Sequence, residues 1–243
     1  MNRLENLDEF KKILADYHVS DASKKTLRST KLVLLVAPSS IGRNTLIREL
    51  QKTGEYHFIV SDTTRKPRVN DGILEKNGRE YWFRSEEEML NELKAGLFLE
   101  AAIIHNQQVS GISIRELEQA RVEGKTAITD IEVVGVHNIM GAKPDAIALF
   151  VLPPSFEEWQ RRIRDRGEMS PHEYRRRMES AAKELKAAVS EPYYKFVIND
   201  NLAEAVEHIH QIVQNGVIDA DEQSTARLLA EQLYDKTKAI ISN

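Results

Sequence analysis

An α/β fold, with a parallel sheet covered on both faces by helices, follows from two observations. Short, mostly apolar runs recur along the chain at Leu32–Val36, Ala127–Ile131 and Ala146–Leu152. Stretches with the apolar spacing of a helix lie between and after them. A strand buried on both faces reads as a continuous apolar run, and strands that alternate with helices build a parallel sheet.

In chain order, Leu4, Leu7, Phe10 and Leu14 predict a short surface helix reaching to about Tyr17. The polar, basic stretch SKKTLRSTK leads into the first buried strand, Leu32–Val36. A loop then opens a helix from about Arg43 to Lys52, and Tyr56–Val60 reads as a strand. Residues 62–84 are rich in Thr, Arg, Pro, Asn and Gly and close on Tyr81, Trp82 and Phe83. Ser85 and Glu88 form a capping-box signature for a helix to about Ala95. Phe98–Ile104 reads as a strand and Ser113–Glu123 as a helix, before the two remaining buried strands. Two charged helices are expected over 155–166 and 170–190, then a short strand at Lys195–Asn199 and a helix from Leu202 to about Gln214. Leu228, Leu229 and Leu233 place one more helix in the tail, outside the alternating pattern.

The chain has 243 residues, enough for one large domain or two small ones, and 41% hydrophobic residues suffice for a sizeable core. A net charge of −4 argues against a bulk nucleic-acid binder. The absence of cysteine excludes disulfides and thiolate metal sites. No segment is apolar for long enough to span a bilayer. The acidic, amphipathic N-terminus lacks the apolar core of a signal peptide. The expectation is a cytoplasmic protein with neither nucleic acid nor membrane as partner.

The stretch VAPSSIGRNTL, Val36–Leu46, has the outline of a phosphate-binding loop, G-x-x-x-x-G-K-[ST], with Ala37, Gly42, Arg43 and Asn44 at its four defining positions. Strand, turn and helix are the right context, because a helix N-terminus offers free N–H groups and a positive dipole end. The departures have physical meaning. Ala37 adds a methyl group where glycine gives backbone freedom. Arg43 keeps the charge of lysine on a longer, planar group. Asn44 offers an amide oxygen in place of the hydroxyl that holds Mg²⁺, directly or through water. On this stretch alone, a working phosphate cradle and a ligand-free tight turn are equally open.

Other segments fall in a telling order: VSDTTRKPR (60–68), FLE (98–100), DIE (130–132), PPS (153–155), RRIRDRG (161–167) and VIND (197–200). This series resembles the guanylate kinase family from about Lys31 to Val213. The resemblance implies a P-loop NTPase-type three-layer sandwich with a parallel sheet, a small GMP-binding insert and a helical lid. It also implies transfer of the ATP γ-phosphate to GMP, or dGMP, with Mg²⁺. The corresponding parts are a helical extension over 1–30, a core over 31–61, 113–157 and 179–213, an insert over 62–112, a lid over 158–178 and a second helical extension over 214–243.

By the same resemblance, Ser39, Ser40, Ile41, Gly42, Arg43, Asn44 and Thr45 surround the ATP phosphates, and Asn199 lies near the adenine. Asp130 and Asn44 serve the metal, partly through water. Ser61, Arg65, Arg68 and Tyr81 hold the GMP phosphate, for which guanidinium forks and hydroxyls are suited. Glu100 and Glu132 accept the N–H groups of the guanine edge. Arg162, Arg166 and Arg177 match lid arginines, which with Arg43 supply the charge neutralisation that phosphoryl transfer needs. Arg161, Arg164, Arg175 and Arg176 read as solvated helix surface.

The chain also departs from the family pattern. Glu132 stands for an aspartate, Ser110 for a tyrosine and Ile112 for a hydroxyl residue, and the loop between Arg68 and Tyr81 is longer. The altered phosphate loop implies weakened activity. The alternative is a catalytically inactive module of the same fold, with the terminal helices as surfaces for a second copy or a protein partner. A kinase for a ribosyl phosphate acceptor is disfavoured by Glu100 and Glu132, which such an acceptor does not need. Arginines aimed at a donor favour the enzyme.

Overall fold

In the computed structural model, which describes residues 4–70 and 72–242, the run LVLLV forms a strand buried at all five positions. The elements follow in order. The first stretch holds α1 (Leu7–Ala15), α2 (Asp21–Ser29), β1 (Leu32–Val36), α3 (Arg43–Lys52) and β2 (Tyr56–Phe58). Four two-residue strands come next: β3 (Asp62–Thr63), β4 (Val69–Asn70), β5 (Ile73–Leu74) and β6 (Trp82–Phe83). Then come α4 (Glu86–Lys94), β7 (Phe98–Ile104), β8 (Gln108–Ser113), α5 (Ile114–Val122), β9 (Thr126–Asp130), α6 (Val133–Ala142) and β10 (Ile147–Leu152). The chain continues with α7 (Phe156–Arg164), α8 (Pro171–Ser190), β11 (Tyr194–Ile198) and α9 (Leu202–His210). A π-helical turn, Gln211–Asn215, precedes α10 (Ala220–Ser242). No helix among the described residues is long and apolar enough to cross a membrane.

The chain divides into two compact units. One comprises the chain up to Lys31, Tyr56–Thr129 and Asn138–Pro144; the other comprises Leu32–Glu55, Asp130–His137 and Asp145 onwards.

In the second unit, β10 is the middle strand of a parallel set. It pairs with β1 from Val33↔Ile147 to Val36↔Phe150, and with β11 from Ala148↔Tyr194 to Leu152↔Ile198. Serine caps start both charged helices. Ser155 accepts from Glu158 N ahead of α7, and Ser170 accepts from Glu173 N ahead of α8, where Pro171 occupies the first turn. The tail forms a helix, outside the alternation of strands and helices. α10 lies along α8 and β11, and its face of Ala226, Ala230, Leu233 and Thr237 is buried.

In the first unit, β2 pairs parallel with β9, and a four-stranded sheet runs in the order β6, β3, β8, β7. The predicted capping box at Ser85 and Glu88 is formed. α1 buries Leu7 and Phe10 in a cluster with Met89, Leu90, Leu93, Phe98 and Val109. The Tyr17 hydroxyl locks this layer, donating to Phe98 O at 2.7 Å and accepting from Phe98 N at 2.8 Å. Besides the two-residue strands β3 to β6, three elements were not expected from the sequence. The basic stretch before β1 is helical as α2, capped by the Ser20 hydroxyl. Gln108–Ser113 returns along β7 as an antiparallel strand. Val133–Ala142 forms α6 despite two glycines.

Glu116 ties this unit together from a buried position. Its carboxylate accepts Val60 N at 3.0 Å and Trp82 Nε1 at 3.0 Å, and lies 3.4 Å from His57 Nε2. The hydrogen bond to Glu116 raises the His57 pKa above its usual 6.5, against the opposing effect of burial, and Glu123 adds to the rise. Glu116→Ala strands two buried donors, so it should cost about 2–4 kcal/mol. Because the folded His57 value is raised, its contribution is complete below pH 6.5 and fades as pH climbs through that raised value. Urea denaturation across pH should therefore show the gap between wild type and Glu116→Ala narrowing as pH rises. A gap independent of pH would remove His57 from the account.

Candidate functional site

The loop between β1 and α3 is built on two residues with positive φ. Ser40 has φ 71° and Gly42 has φ 98°. A side chain at Gly42 is barred twice, by that dihedral and because a Cβ there would lie 2.9 Å from Asn199 Nδ2. Two carbonyls of the turn are tied back by side chains. Trp159 Nε1 donates to Ser39 O at 2.9 Å, and Asn199 Nδ2 donates to Ile41 O at 2.7 Å. With these carbonyls held, the amides of the same turn are the polar groups left for an anion, at the N-terminus of α3. The Ser40 hydroxyl oxygen is buried without a hydrogen-bond partner. A buried orphan oxygen beside a left-handed cradle fits a phosphorylated ligand better than an empty turn.

Arginines surround this loop. Arg162 Nη1 donates to Asn199 O at 2.9 Å, while its Nε is held by Glu158 at 2.8 Å. Arg177 Nη1 reaches Ser39 Oγ at 3.4 Å and is anchored by Glu173 at 2.6 Å. Arg43 Nη2 pairs with Asp130 Oδ2 at 2.9 Å, both side chains about one-third exposed. Arg166 is exposed, and no side-chain partner for it is found among the described residues. Asn44 and Glu132 are exposed as well, and Thr45 accepts from Arg48 Nη2 at 3.3 Å. Asn199 is buried, and its amide nitrogen is engaged with the loop.

Oxygen donors suited to Mg²⁺ are present at Asn44 and Asp130, although Asp130 already holds Arg43. Among the described residues no cluster of three or more His, Asp or Glu side chains is arranged to hold a metal. That is compatible with Mg²⁺, which keeps waters and takes only one or two protein oxygens beside substrate phosphates.

Sequence reasoning missed Glu184, on α8. Its Oε1 accepts from Ser180 Oγ at 3.1 Å and its Oε2 is buried without a partner. Burial pushes its carboxyl up to about 7, the Ser180 hydrogen bond and Arg43 pull it down, and Glu132 pushes it up. Nothing in the sequence marks it, since it sits among ordinary helix formers.

The first unit gathers a second group. The Arg65 guanidinium carbon lies over the Tyr81 ring, 4.6 Å from its centre, and the group makes a two-pronged contact with Glu75, at 2.5 and 2.9 Å. Glu75 also accepts from Arg68 N at 2.8 Å, so one carboxylate ties Arg65 to Arg68. Its hydrogen bond raises the Arg65 pKa. Glu75 was missed in the sequence, and its spacing ten residues after Arg65 carries no local signal. The Arg68 side chain is exposed, and Ser61 is half-buried with its carbonyl accepting Trp82 N. Glu100 on β7 stands opposite Ile112 on β8. Ser110 shares a 2.8 Å hydrogen bond with Thr63.

An α/β fold that sets a left-handed loop on a helix N-terminus among arginines defines a protein built for phosphorylated ligands. A guanylate kinase family model matches residues 29–216. The chain is 37% identical over 184 residues to a guanylate kinase of Synechococcus sp. (strain JA-3-3Ab), covering 75% of this chain and 82% of that one. It is 36% identical over 187 residues to a guanylate kinase of Porphyromonas gingivalis, covering 76% and 96%. The crystal structure of guanylate kinase from Anaplasma phagocytophilum superposes with a TM-score of 0.55 at 25% identity, covering 85% of this chain and 97% of that one. The chain belongs to the guanylate kinase family.

Gly42→Ala should cost about 1–3 kcal/mol, from the left-handed dihedral and the approach to Asn199. It should also abolish any thermal stabilisation by ATP, read as the shift in melting temperature with and without nucleotide. A variant that keeps its full nucleotide shift would show that the turn does not bind phosphate.

Proposed function

We propose that this chain transfers the γ-phosphoryl group of ATP to GMP, or to dGMP, yielding ADP and GDP or dGDP. One observation carries the reading: the 37–45 loop is held from behind by Trp159 and Asn199, Arg162 in turn bonds the Asn199 carbonyl, and Arg177 reaches Ser39 of the loop. In the reaction the bond between the β–γ bridging oxygen and the γ-phosphorus breaks. A phosphate oxygen of GMP forms the new bond to that phosphorus. The chain's part is positioning and charge stabilisation rather than covalent chemistry.

On this reading the amides of Ser40 to Asn44 cradle the β- and γ-phosphates, while the Thr45 amide stays on the Gly42 carbonyl. Arg43 leaves Asp130 to lie along the phosphates, while Arg162, Arg166 and Arg177 spread over the transferring group as charge moves to the leaving oxygen. Mg²⁺, bound through Asn44, Asp130 and water, would neutralise the triphosphate. Arg65, Arg68, Ser61 and Tyr81 hold the acceptor phosphate, with Glu75 keeping Arg65 oriented. Glu100 and Glu132 accept the guanine N–H groups. Ile112, in place of a hydroxyl residue, removes one contact to the base, which opens the way to looser base choice.

A second reading, an inactive module of the same fold, draws on one feature. The Arg43–Asp130 pair already satisfies the carboxylate that a metal would use. A coupled assay with GMP, dGMP, AMP, CMP and UMP separates the two, since absence of turnover with every acceptor at high enzyme concentration rejects the enzyme. Calorimetry with ATP and Mg²⁺ gives the module its own test, because Mg²⁺-dependent binding would count against it.

If the loop is merely weakened, Arg43→Lys with Asn44→Ser should raise turnover about tenfold, equivalent to ~1.4 kcal/mol in the barrier. Steady-state kinetics check this, and an unchanged rate would place the limiting fault elsewhere.

A further inference from the structure

α10 lies entirely beyond the residues that match the family, which end at 216, and its contacts converge on the two helices that carry arginines to the loop. It has 23 residues and is about 34 Å long. At its start Gln223 accepts from Phe196 N and donates to Phe196 O, both at 2.8 Å. One turn later Arg227 donates to Val189 O at 2.7 Å, at the end of α8. Near its own end Lys236 pairs with Glu157 Oε1 at 2.8 Å, in the first turn of α7, and stands 5.5 Å from the Phe156 ring. Lys236 holds the Glu157 carboxyl below its ordinary range. In the last turn the Ile241 carbonyl accepts from Arg175 Nη2 at 2.5 Å, near the start of α8. α10 therefore grips α8 at both ends and α7 at its beginning.

The two sides of α8 then have different tasks. Arg175 and Arg177 are two residues apart, about 200° around the helix. Arg175 reaches α10, and Arg177 reaches Ser39 of the loop. We propose that α10 is a positioning element for the α7–α8 elbow, with Lys236 and Arg175 setting how Arg162 and Arg177 approach the phosphates. The tail acts on the transfer step and is not a free surface for a partner. This inference rests on the kinase reading for its effect on rate, but not for its effect on the elbow itself.

Lys236→Glu sets two carboxylates against each other on the surface, a change small enough to leave the fold intact. In the full-length chain it should lower kcat about three- to tenfold with the KM for ATP and GMP within about twofold. It should also speed amide exchange over residues 158–178. Lys236→Arg should keep wild-type values, and adding Glu157→Gln to Lys236→Glu should recover most of both losses. Unchanged kcat and exchange in Lys236→Glu would overturn the proposal. So would a loss that Glu157→Gln does not relieve, or a change confined to melting temperature or to oligomeric state in sedimentation. If wild type turns over no acceptor, the kinase reading fails, and the exchange rates alone decide whether α10 holds the elbow.

Discussion

The backbone of a single turn sets the terms for much of the second unit. Ser40 and Gly42 both lie in the left-handed region, which for a serine costs on the order of 1 kcal/mol. Such a conformation persists only where the surroundings over-determine it. Here they do so through the carbonyls on either side, fixed by Trp159 from α7 and by Asn199 just past β11. The parallel register that brings the ends of β1, β10 and β11 level is what lets Asn199 reach Ile41. The indole of Trp159 is fully buried, so α7 cannot roll without withdrawing its hydrogen bond. Sheet register, helix placement and loop geometry are thus one constraint seen from three directions.

Charge follows a common pattern in both units. Arg43 rests on Asp130, Arg162 on Glu158, Arg177 on Glu173 and Arg65 on Glu75. Partly buried guanidinium groups need such partners, because an unpaired charge taken out of water is costly. The pairs also hold each fork in a defined orientation. On the kinase reading, an incoming phosphate would exchange one anionic partner for another instead of ordering a loose side chain, so that less rotamer entropy would be lost on binding. Arg166 and Arg68 do not follow the pattern, and both side chains are exposed.

Much of the architecture could be read in the sequence because burial leaves a pattern. Leu32–Val36 and Ile147–Leu152 are apolar on both faces and lie inside a parallel set. Ser85 with Glu88, and Ser155 and Ser170 ahead of charged runs, carry local capping chemistry. The two-residue strands β3 to β6 are too short to show a period, so 62–84 read only as irregular. α2 buries just Ser23 and Leu27, too little apolar surface for a helical stripe. α6 carries two glycines, which read as breakers. At the site, the ordered series of short segments pointed to the arginines and to the loop. It could not point to Glu75 or Glu184, whose significance lies in tertiary contacts made by residues of ordinary local context.

Gln223 has a consequence for the chain's behaviour in solution. β11 ends its parallel set, and the outward N–H and C=O of an end strand form a template onto which another chain can add a strand. By supplying one amide acceptor and one amide donor to Phe196, Gln223 mimics the next strand at that residue, and the body of α10 covers the edge around it. The outward backbone groups of Phe196, within a segment as rich in β-formers as Tyr193 to Ile198, are thereby already satisfied and are not on offer to another strand.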